Sequence, residues 1–154
     1  LNTVEHEFSG KNVLLVDDSI VRGNTSRKIV EMARLSGAKK VYFASAAPPV
    51  RFPNVYGIDM AASNEFIANK NTVEEIAENM GADRLFYQDL DDLVDSIRFE
   101  SKGPQEFDSS CFNGLYVTKN VSSGYLEKIE KIRSKSSKQH KGISEEPIGI
   151  HNQG

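Results

Sequence analysis

The sequence predicts an α/β fold with a mostly parallel sheet and flanking helices. Short apolar runs of the kind found in buried strands occupy residues 13–16, 41–46 and 85–87. Segments with apolar residues at helical spacing lie between these runs, and alternation of this kind is typical of parallel sheets. Hydrophobic residues make up 38% of the 154 residues and charged residues 27%, as in ordinary globular proteins.

The first strand is expected to be covered on both faces, because residues 13–16 are continuously apolar. After it, Thr25 or Ser26 is expected to cap a helix that ends at Gly37. The residues of this helix at core-facing spacing are Ile29, Val30, Ala33 and Leu35. Strand, helix and second strand together form a βαβ unit, whose crossover is almost always right-handed.

Further helices are indicated by their caps. Thr72 and Glu75 form a capping box, and Gly81 ends that helix. Asp89 is expected to cap a helix with an apolar side at Leu90, Leu93, Val94 and Ile97. Short strands are also expected within residues 54–60 and at residues 115–117, and a helix around Leu126, Ile129 and Ile132.

Bulk properties exclude several classes of protein. The net charge of −3 does not suit a general nucleic-acid binder, and no apolar run is long enough to cross a membrane. The polar N-terminal residues contain no signal peptide, and Cys111 has no partner for an internal disulfide. We therefore expect a cytoplasmic protein. Because the chain begins with Leu1 near its first strand, we expect it to be a piece of a longer protein.

The most informative segment is residues 13–26, where an apolar run ends in Asp17 and Asp18 and a short loop leads into a helix. A helix N-terminus binds phosphate, and Gly23 lets the backbone approach it closely. Arg22, Thr25 and Ser26 add donors. The two carboxylates suit sugar hydroxyls or Mg²⁺. An isolated Asp-Asp pair is more often a helix cap beside a solvated loop, so the prediction depends on the whole ordered set.

That set resembles the phosphoribosyl pyrophosphate (PRPP) signature of type I phosphoribosyltransferases. Residues 16–23, 44–48, 54–60 and 114–118 also look like segments of the amidophosphoribosyltransferases, and the resemblance covers roughly residues 10–133. It implies the type I phosphoribosyltransferase fold, and transfer of glutamine-derived ammonia to PRPP in the first committed step of purine synthesis. In motif position, Asp17 and Asp18 would contact the ribose and Mg²⁺. The 5′-phosphate cradle would be formed by Val21, Arg22, Gly23, Asn24, Thr25 and Ser26.

The resemblance also sets expectations about what surrounds the site. Residues 1–133 would be the C-terminal part of the phosphoribosyltransferase domain. Residues 134–154 form a polar tail, and from this composition we expect much of it to be loosely ordered. The N-terminal glutaminase domain and the earlier half of the transferase domain would be missing, so we expect no catalytic residue here and an inactive isolated chain. PRPP and the inhibitory nucleotides AMP and GMP are the expected ligands. An unpaired sheet edge predicts a homo-oligomer.

Some amidophosphoribosyltransferases bind an iron–sulfur cluster, and Cys111 falls where one of their cysteines would lie. Asp108 stands three positions earlier, where a second cysteine would be expected. One thiolate cannot hold a cluster that needs four ligands, so we expect no cluster and assign Cys111 to packing.

Three alternatives remain at the level of sequence. A phospho-receiver domain also begins with a strand ending in two acidic residues, and Asp59 lies at a suitable distance for the third acidic residue that such domains need. The lysine that they also need near a proline is matched only poorly by Lys102, two residues before Pro104. A receiver domain leaves the loop from Gly23 to Ser26 unexplained. Another PRPP-dependent transferase would have the same acidic pair and loop. The third alternative is that the chain is only a non-catalytic folding fragment, which would keep the phosphate cradle.

Overall fold

A computed structural model describes residues 5–58, 60, 62–99 and 102–143 of the chain. Three strands and six helices lie within these residues, together with two short 3-10 turns at Ser63–Glu65 and Ile67–Asn69. The strands are β1 (Asn12–Asp17), β2 (Lys40–Ser45) and β3 (Arg84–Tyr87). The helices are α1 (Glu5–Phe8), α2 (Asn24–Leu35), α3 (Val73–Met80), α4 (Leu90–Arg98), α5 (Ser110–Asn113) and α6 (Ser123–Ile143). No helix in this part of the chain combines the length and hydrophobicity of a membrane span.

The three strands form a parallel sheet in the order β1-β2-β3. Asp17 at the end of β1 is in register with Ser45 of β2, which is in register with Tyr87 of β3. All three strands therefore end at the same edge of the sheet, where ligands bind in open parallel sheets. The predicted α/β class, the three strands and the helices between them are confirmed.

One face of the sheet carries the core. Helices α2 and α3 pack against this face and against each other. The buried residues are Val30 and Ala33 of α2, Val41 and Phe43 of β2, Ile76 and Met80 of α3, and Leu85 of β3. The alternation of side chains along each strand explains why every second strand residue belongs to this core.

The opposite face of the sheet is largely uncovered within the described residues. Leu14 and Val16 of β1 are 57% and 69% exposed, and Phe86 of β3 is 44% exposed. The expectation that β1 is covered on both faces is therefore wrong for this chain by itself. Leu35 was also expected in the core, but at the end of α2 it is exposed.

Most predicted helix ends are confirmed. Gly37 has φ +83°, and the amides of Gly37 and Ala38 donate to carbonyls of α2. Gly81 likewise ends α3 in the left-handed region. Both bonds of the capping box are present, from the Glu75 amide to Thr72 and from the Thr72 amide to Glu75. The Asp89 carboxylate accepts from two amides of the first turn of α4.

Other predicted elements are wrong. Within the described part of residues 54–60 there is no strand, because the side-chain oxygen of Asn54 accepts from the amides of Tyr56 and Ile58 and forms a local turn. Residues 115–117 also form no strand, and the Tyr116 hydroxyl donates to the Pro53 carbonyl. Residues 134–143 of the polar tail continue α6. The rest of the tail lies outside the described residues, and the division at residue 133 remains a prediction.

An ion pair holds the end of the sheet opposite the strand carboxyl ends. Arg34 of α2 lies 2.6 Å from the Asp83 carboxylate, which also accepts from the Val41 amide at 2.8 Å. Arg34 donates as well to the Gly81 carbonyl. The pKa of Asp83 is lowered, first by the hydrogen bond from Val41, against a smaller opposing effect of burial, and then by Arg34. These contacts link α2, β2 and the turn before β3.

Asp83→Asn is expected to lower the free energy of unfolding at pH 7 by about 0.5–1 kcal/mol, the scale of a partly exposed pair. Because the folded pKa is below the unfolded one, the contribution is present above the unfolded pKa and is lost as pH falls through the folded pKa. Urea unfolding from pH 7 to pH 3 should show the difference shrinking. Asp95→Asn, which removes a weaker surface pair with Arg98, is the control. A difference that persists at pH 3 would contradict this account.

Candidate functional site

A cavity of about 810 Å³ opens at the carboxyl end of β1. All eight residues predicted from the sequence line it, so the fold brings them together at one place. They are Asp17, Asp18, Val21, Arg22, Gly23, Asn24, Thr25 and Ser26. The other lining residues are Ser19, Ala47, Val50, Ile58, Met60, Cys111 and Phe112. Those from residue 47 onward are mostly apolar and form the apolar wall of the cavity.

The two carboxylates are held by neighbouring donors. The Asp18 amide donates to Asp17 Oδ1 at 3.0 Å, and the Ser19 hydroxyl donates to Asp18 Oδ1 at 2.9 Å. A carboxylate accepts about four hydrogen bonds, so each of these groups retains capacity for a ligand. Asp17 is half-buried and Asp18 is exposed, which keeps both within reach of the cavity.

The N-terminus of α2 has no side-chain cap. Its N-cap residue is Gly23, which has φ +75° and supplies no side-chain hydrogen bond, and the first turn contains no acidic residue. The first amides of a helix have no partners within the helix, and they carry the positive end of its dipole. The expectation that Thr25 or Ser26 caps the helix is wrong, because α2 already begins at Asn24. Both residues lie in the first turn instead, where an anion would be bound.

Gly23 is favoured chiefly by its left-handed backbone, and a side chain at this position would also have to displace the end of Ile67. A Cβ atom added at this position would lie 2.6 Å from Ile67 Cδ1. The left-handed backbone is also unfavourable for residues other than glycine. The glycine therefore lets the loop pack closely on Ile67 while turning into α2.

The segment at residues 63–67 supports the loop from outside the cavity. The Ile67 amide donates to the Val21 carbonyl at 2.9 Å, and Arg22 Nε lies 2.6 Å from a Glu65 carboxylate oxygen. The Arg22 guanidinium is thus held partly by Glu65, although Arg22 still lines the cavity. Its predicted place in the phosphate cradle remains a prediction.

The apolar wall is shaped by Asn54 and Cys111. The buried Asn54 side chain organises the turn that carries Ile58, and the Asn54 backbone amide donates to Met60 Sδ at 3.3 Å. The Cys111 carbonyl accepts from the amides of Arg51 and Phe52, which joins two loops of this wall. Burial, and then the Asp108 carboxylate, raise the pKa of the Cys111 thiol. A raised pKa keeps the thiol protonated and makes it a poor nucleophile.

The carboxylate oxygens of the site are of the kind that binds Mg²⁺ together with a phosphorylated ligand. Within the described ranges, no group of three or more His, Cys, Asp and Glu side chains is arranged to hold a metal ion. Mg²⁺ does not require such a group, since it is commonly bound by one or two carboxylates, waters and substrate phosphates. Asp17 and Asp18 provide carboxylates beside a helix N-terminus suited to phosphate.

Sequence reasoning missed several residues that shape the site. Glu65 pairs with Arg22, Ile67 contacts the loop, and Asn54 organises the turn that carries Ile58 of the apolar wall. Asn54 lies in one of the four segments that resemble the family and Glu65 only within the wider range of residues 10–133, and the sequence alone gives neither residue a role. Asp59, which the receiver alternative requires, lies outside the described residues.

Comparison with known proteins identifies the family. No family model matches the chain. The amidophosphoribosyltransferase of Escherichia coli (strain K12) is 54% identical over 155 residues, which cover 100% of this chain and 31% of that protein. The amidophosphoribosyltransferase of Saccharomyces cerevisiae is 46% identical over 153 residues, covering 99% of the chain and 29% of that protein. The chain belongs to the amidophosphoribosyltransferase family.

A solved amidophosphoribosyltransferase also shares the fold. It is the glutamine PRPP amidotransferase from B. subtilis, complexed with ADP and GMP. The match has a TM-score of 0.67 and 39% sequence identity, and covers 75% of this chain and 26% of that chain. This chain therefore spans less than a third of the length of the amidophosphoribosyltransferases reported above.

Gly23→Ala is expected to lower the free energy of unfolding by about 2 kcal/mol, because it adds backbone strain and requires the Cδ1 end of Ile67 to move. Gly10→Ala is a matched control, since Gly10 has φ +72° but no atom within 4 Å of its added Cβ. It should lose only about 1 kcal/mol. Urea unfolding measures both changes.

A further variant tests the contact with Ile67 directly. Ile67→Val removes the Cδ1 atom nearest to the added Cβ, so the loss in the Gly23→Ala, Ile67→Val variant should be smaller than the sum of the two single losses. Equal destabilisation by Gly23→Ala and Gly10→Ala would show that the contact with Ile67 has no energetic consequence.

Proposed function

We propose that this chain is the PRPP-binding part of an amidophosphoribosyltransferase. The complete enzyme transfers ammonia from glutamine to C1 of PRPP and releases phosphoribosylamine, pyrophosphate and glutamate, in the first committed step of purine synthesis. The observation that carries the proposal is the convergence of a carboxylate pair and an uncapped helix N-terminus on one cavity. Membership of the family supports the same assignment.

The loop is proposed to bind the 5′-phosphate. Amides of the first turn of α2 would donate to the phosphate oxygens, and the helix dipole would favour their negative charge. The side chains of Asn24, Thr25 and Ser26 offer further donors at the same end of the helix. Gly23 has no side chain to compete for these amides or to obstruct the phosphate.

The carboxylates are proposed to bind the ribose. Asp17 and Asp18 would accept hydrogen bonds from its neighbouring hydroxyls, with their own orientation set by the Asp18 amide and the Ser19 hydroxyl. They would also hold Mg²⁺ directly or through water. When bound, Mg²⁺ would neutralise charge on the pyrophosphate leaving group.

Catalysis is proposed to need parts of the enzyme outside this chain. The matched region is 31% of the Escherichia coli enzyme, and the glutaminase domain and the earlier part of the transferase domain would lie in the remainder. The chain would then be a C-terminal part of the transferase domain, inactive alone and cytoplasmic in the cell. A catalytic residue is not assigned to it.

Purine nucleotides are proposed as further ligands of the cradle. The related B. subtilis enzyme was solved in complex with ADP and GMP. AMP and GMP carry a 5′-phosphate like that of PRPP, so the N-terminus of α2 would hold the same group in each. Another PRPP-dependent transferase remains the second candidate, and the relatives reported above favour the amidotransferase.

Calorimetric titration tests the proposed ligands. The chain is expected to bind PRPP in the presence of Mg²⁺, and Asp17→Asn, Asp18→Asn should weaken this binding about 10- to 100-fold, because neutral amides replace the two charged acceptors. GMP should compete with PRPP, because both need the phosphate cradle.

The matched control is Asp91→Asn, Asp92→Asn. It removes two adjacent carboxylates from the exposed first turn of α4, so the change in net charge is the same. PRPP affinity should remain unchanged in the control. Equal binding by the wild type and the Asp17, Asp18 variant would contradict the proposed role of the pair. Absence of binding by the wild type would contradict the proposal that this chain holds the PRPP site unaided.

Self-association is proposed for the isolated chain. Leu14 and Val16 are exposed on the uncovered face of β1, which is also an edge strand, and such edges tend to pair. Sedimentation velocity should show a concentration-dependent dimer or larger species. The double variant Leu14→Lys, Val16→Lys should shift this population towards monomer. Leu35→Lys, which replaces an exposed side chain at the end of α2, should not. A wild-type monomer at all concentrations would contradict the proposal.

A further inference from the structure

We propose that Glu130 of α6 is a positioning residue for the phosphate loop, acting through the segment at residues 63–67. The inference rests on the proposed function for its consequence in ligand binding, but its structural part concerns the chain without ligand. Glu130 lies outside the motif and does not line the cavity.

The first step is the contact between Glu130 and residues 63–64. One carboxylate oxygen accepts from the Ser63 amide at 3.0 Å and from the Ser63 hydroxyl at 2.6 Å. The other oxygen is 3.5 Å from the Asn64 amide. A single side chain of α6 thereby fixes the start of the short 3-10 turn at Ser63–Glu65.

The second step is the contact between this segment and the loop. Glu65, the last residue of the same turn, pairs with Arg22. Ile67 follows two residues later and donates its amide to the Val21 carbonyl, and its Cδ1 atom lies 2.6 Å from where a Cβ of residue 23 would be. Loop residues 21 and 22 are therefore held by Glu65 and Ile67, which lie within a few residues of the Glu130 contact.

The charge of Glu130 suits this task. Partial burial alone would raise the pKa of its carboxyl, but hydrogen bonds from Ser63 and Asn64, aided by Arg133, hold the pKa below its usual value. The group is therefore ionised at neutral pH, and hydrogen bonds to a charged acceptor are stronger than neutral ones. Arg133, also on α6, connects this helix to the turn at Asn54, since its guanidinium donates to the Asn54 carbonyl at 2.9 Å.

Hydrogen exchange of the free chain tests the structural part. In Glu130→Gln, the Ile67 amide is expected to exchange about 10-fold faster, because the segment that presents it to Val21 has lost a charged acceptor. The Ile76 amide, which donates to the Thr72 carbonyl in α3, should keep its exchange rate. Glu127→Gln, an exposed substitution on the same helix, is the matched control and should change neither rate.

Two results would overturn the proposal. An unchanged rate at Ile67 in Glu130→Gln would show that the contact with Ser63 does not hold the segment. An equal acceleration at Ile67 and Ile76 would assign Glu130 to general stability instead of loop position. Glu130→Asp keeps the charge on a shorter side chain, and its rate at Ile67 is expected to lie between those of the wild type and Glu130→Gln.

Calorimetry with GMP tests the consequence for the ligand. Glu130→Gln is expected to raise the Kd for GMP about 3- to 10-fold. The double variant Glu130→Gln, Glu65→Gln should raise the Kd by less than the product of the increases in the two single variants, because both residues act on the same loop. Unchanged GMP affinity with faster exchange at Ile67 would overturn the claim that this path reaches the phosphate. If the wild type binds no GMP, the proposed function fails, whereas the exchange experiment still decides the structural part.

Discussion

The site depends on the left-handed turn at Gly23. A residue with an oxygen-bearing side chain at this N-cap position would commonly accept from the first amides of α2, and it would also meet Ile67. Glycine leaves those amides to a ligand and allows the loop to lie against residues 63–67. The same turn joins the carboxylates at the end of β1 to the N-terminus of α2, so that both border one cavity.

The parallel sheet supplies the frame for this arrangement, but only one of its faces is covered by the described residues. Helices α2 and α3 cover the face that contains Phe43, whereas Leu14 and Val16 remain exposed on the other. One covered face is enough for the βαβ unit to position the loop between β1 and α2, because β1, α2 and β2 are adjacent in both sequence and space. The chain spans less than a third of the length of the relatives reported above.

Local signals in the sequence predicted much of this structure. The capping box at Thr72, the cap at Asp89 and the glycines that end α2 and α3 depend on neighbouring residues, and all are confirmed. The acidic pair and the loop were also found from their order along the chain. The roles of Glu65 and Glu130 were not predictable, since each depends on a partner more than 40 residues away. The strands expected within residues 54–60 and at residues 115–117 are absent from the described part of the chain. At both places an asparagine side-chain oxygen accepts from the backbone amide two residues later, Asn54 from Tyr56 and Asn113 from Leu115, and forms a local turn.

The central claim is that a 5′-phosphate binds at the N-terminus of α2 and its ribose at Asp17 and Asp18. Amide NMR spectra of the chain, recorded during titration with GMP, test this most directly. The account predicts that the largest chemical-shift changes occur at the amides of Gly23, Asn24, Thr25 and Ser26, with smaller changes at Asp17 and Asp18. Changes concentrated in a second pocket, with the α2 amides unaffected, would contradict it; that pocket is lined by Val55, Tyr56, Thr118, Asn120, Val121, Ser122 and Tyr125.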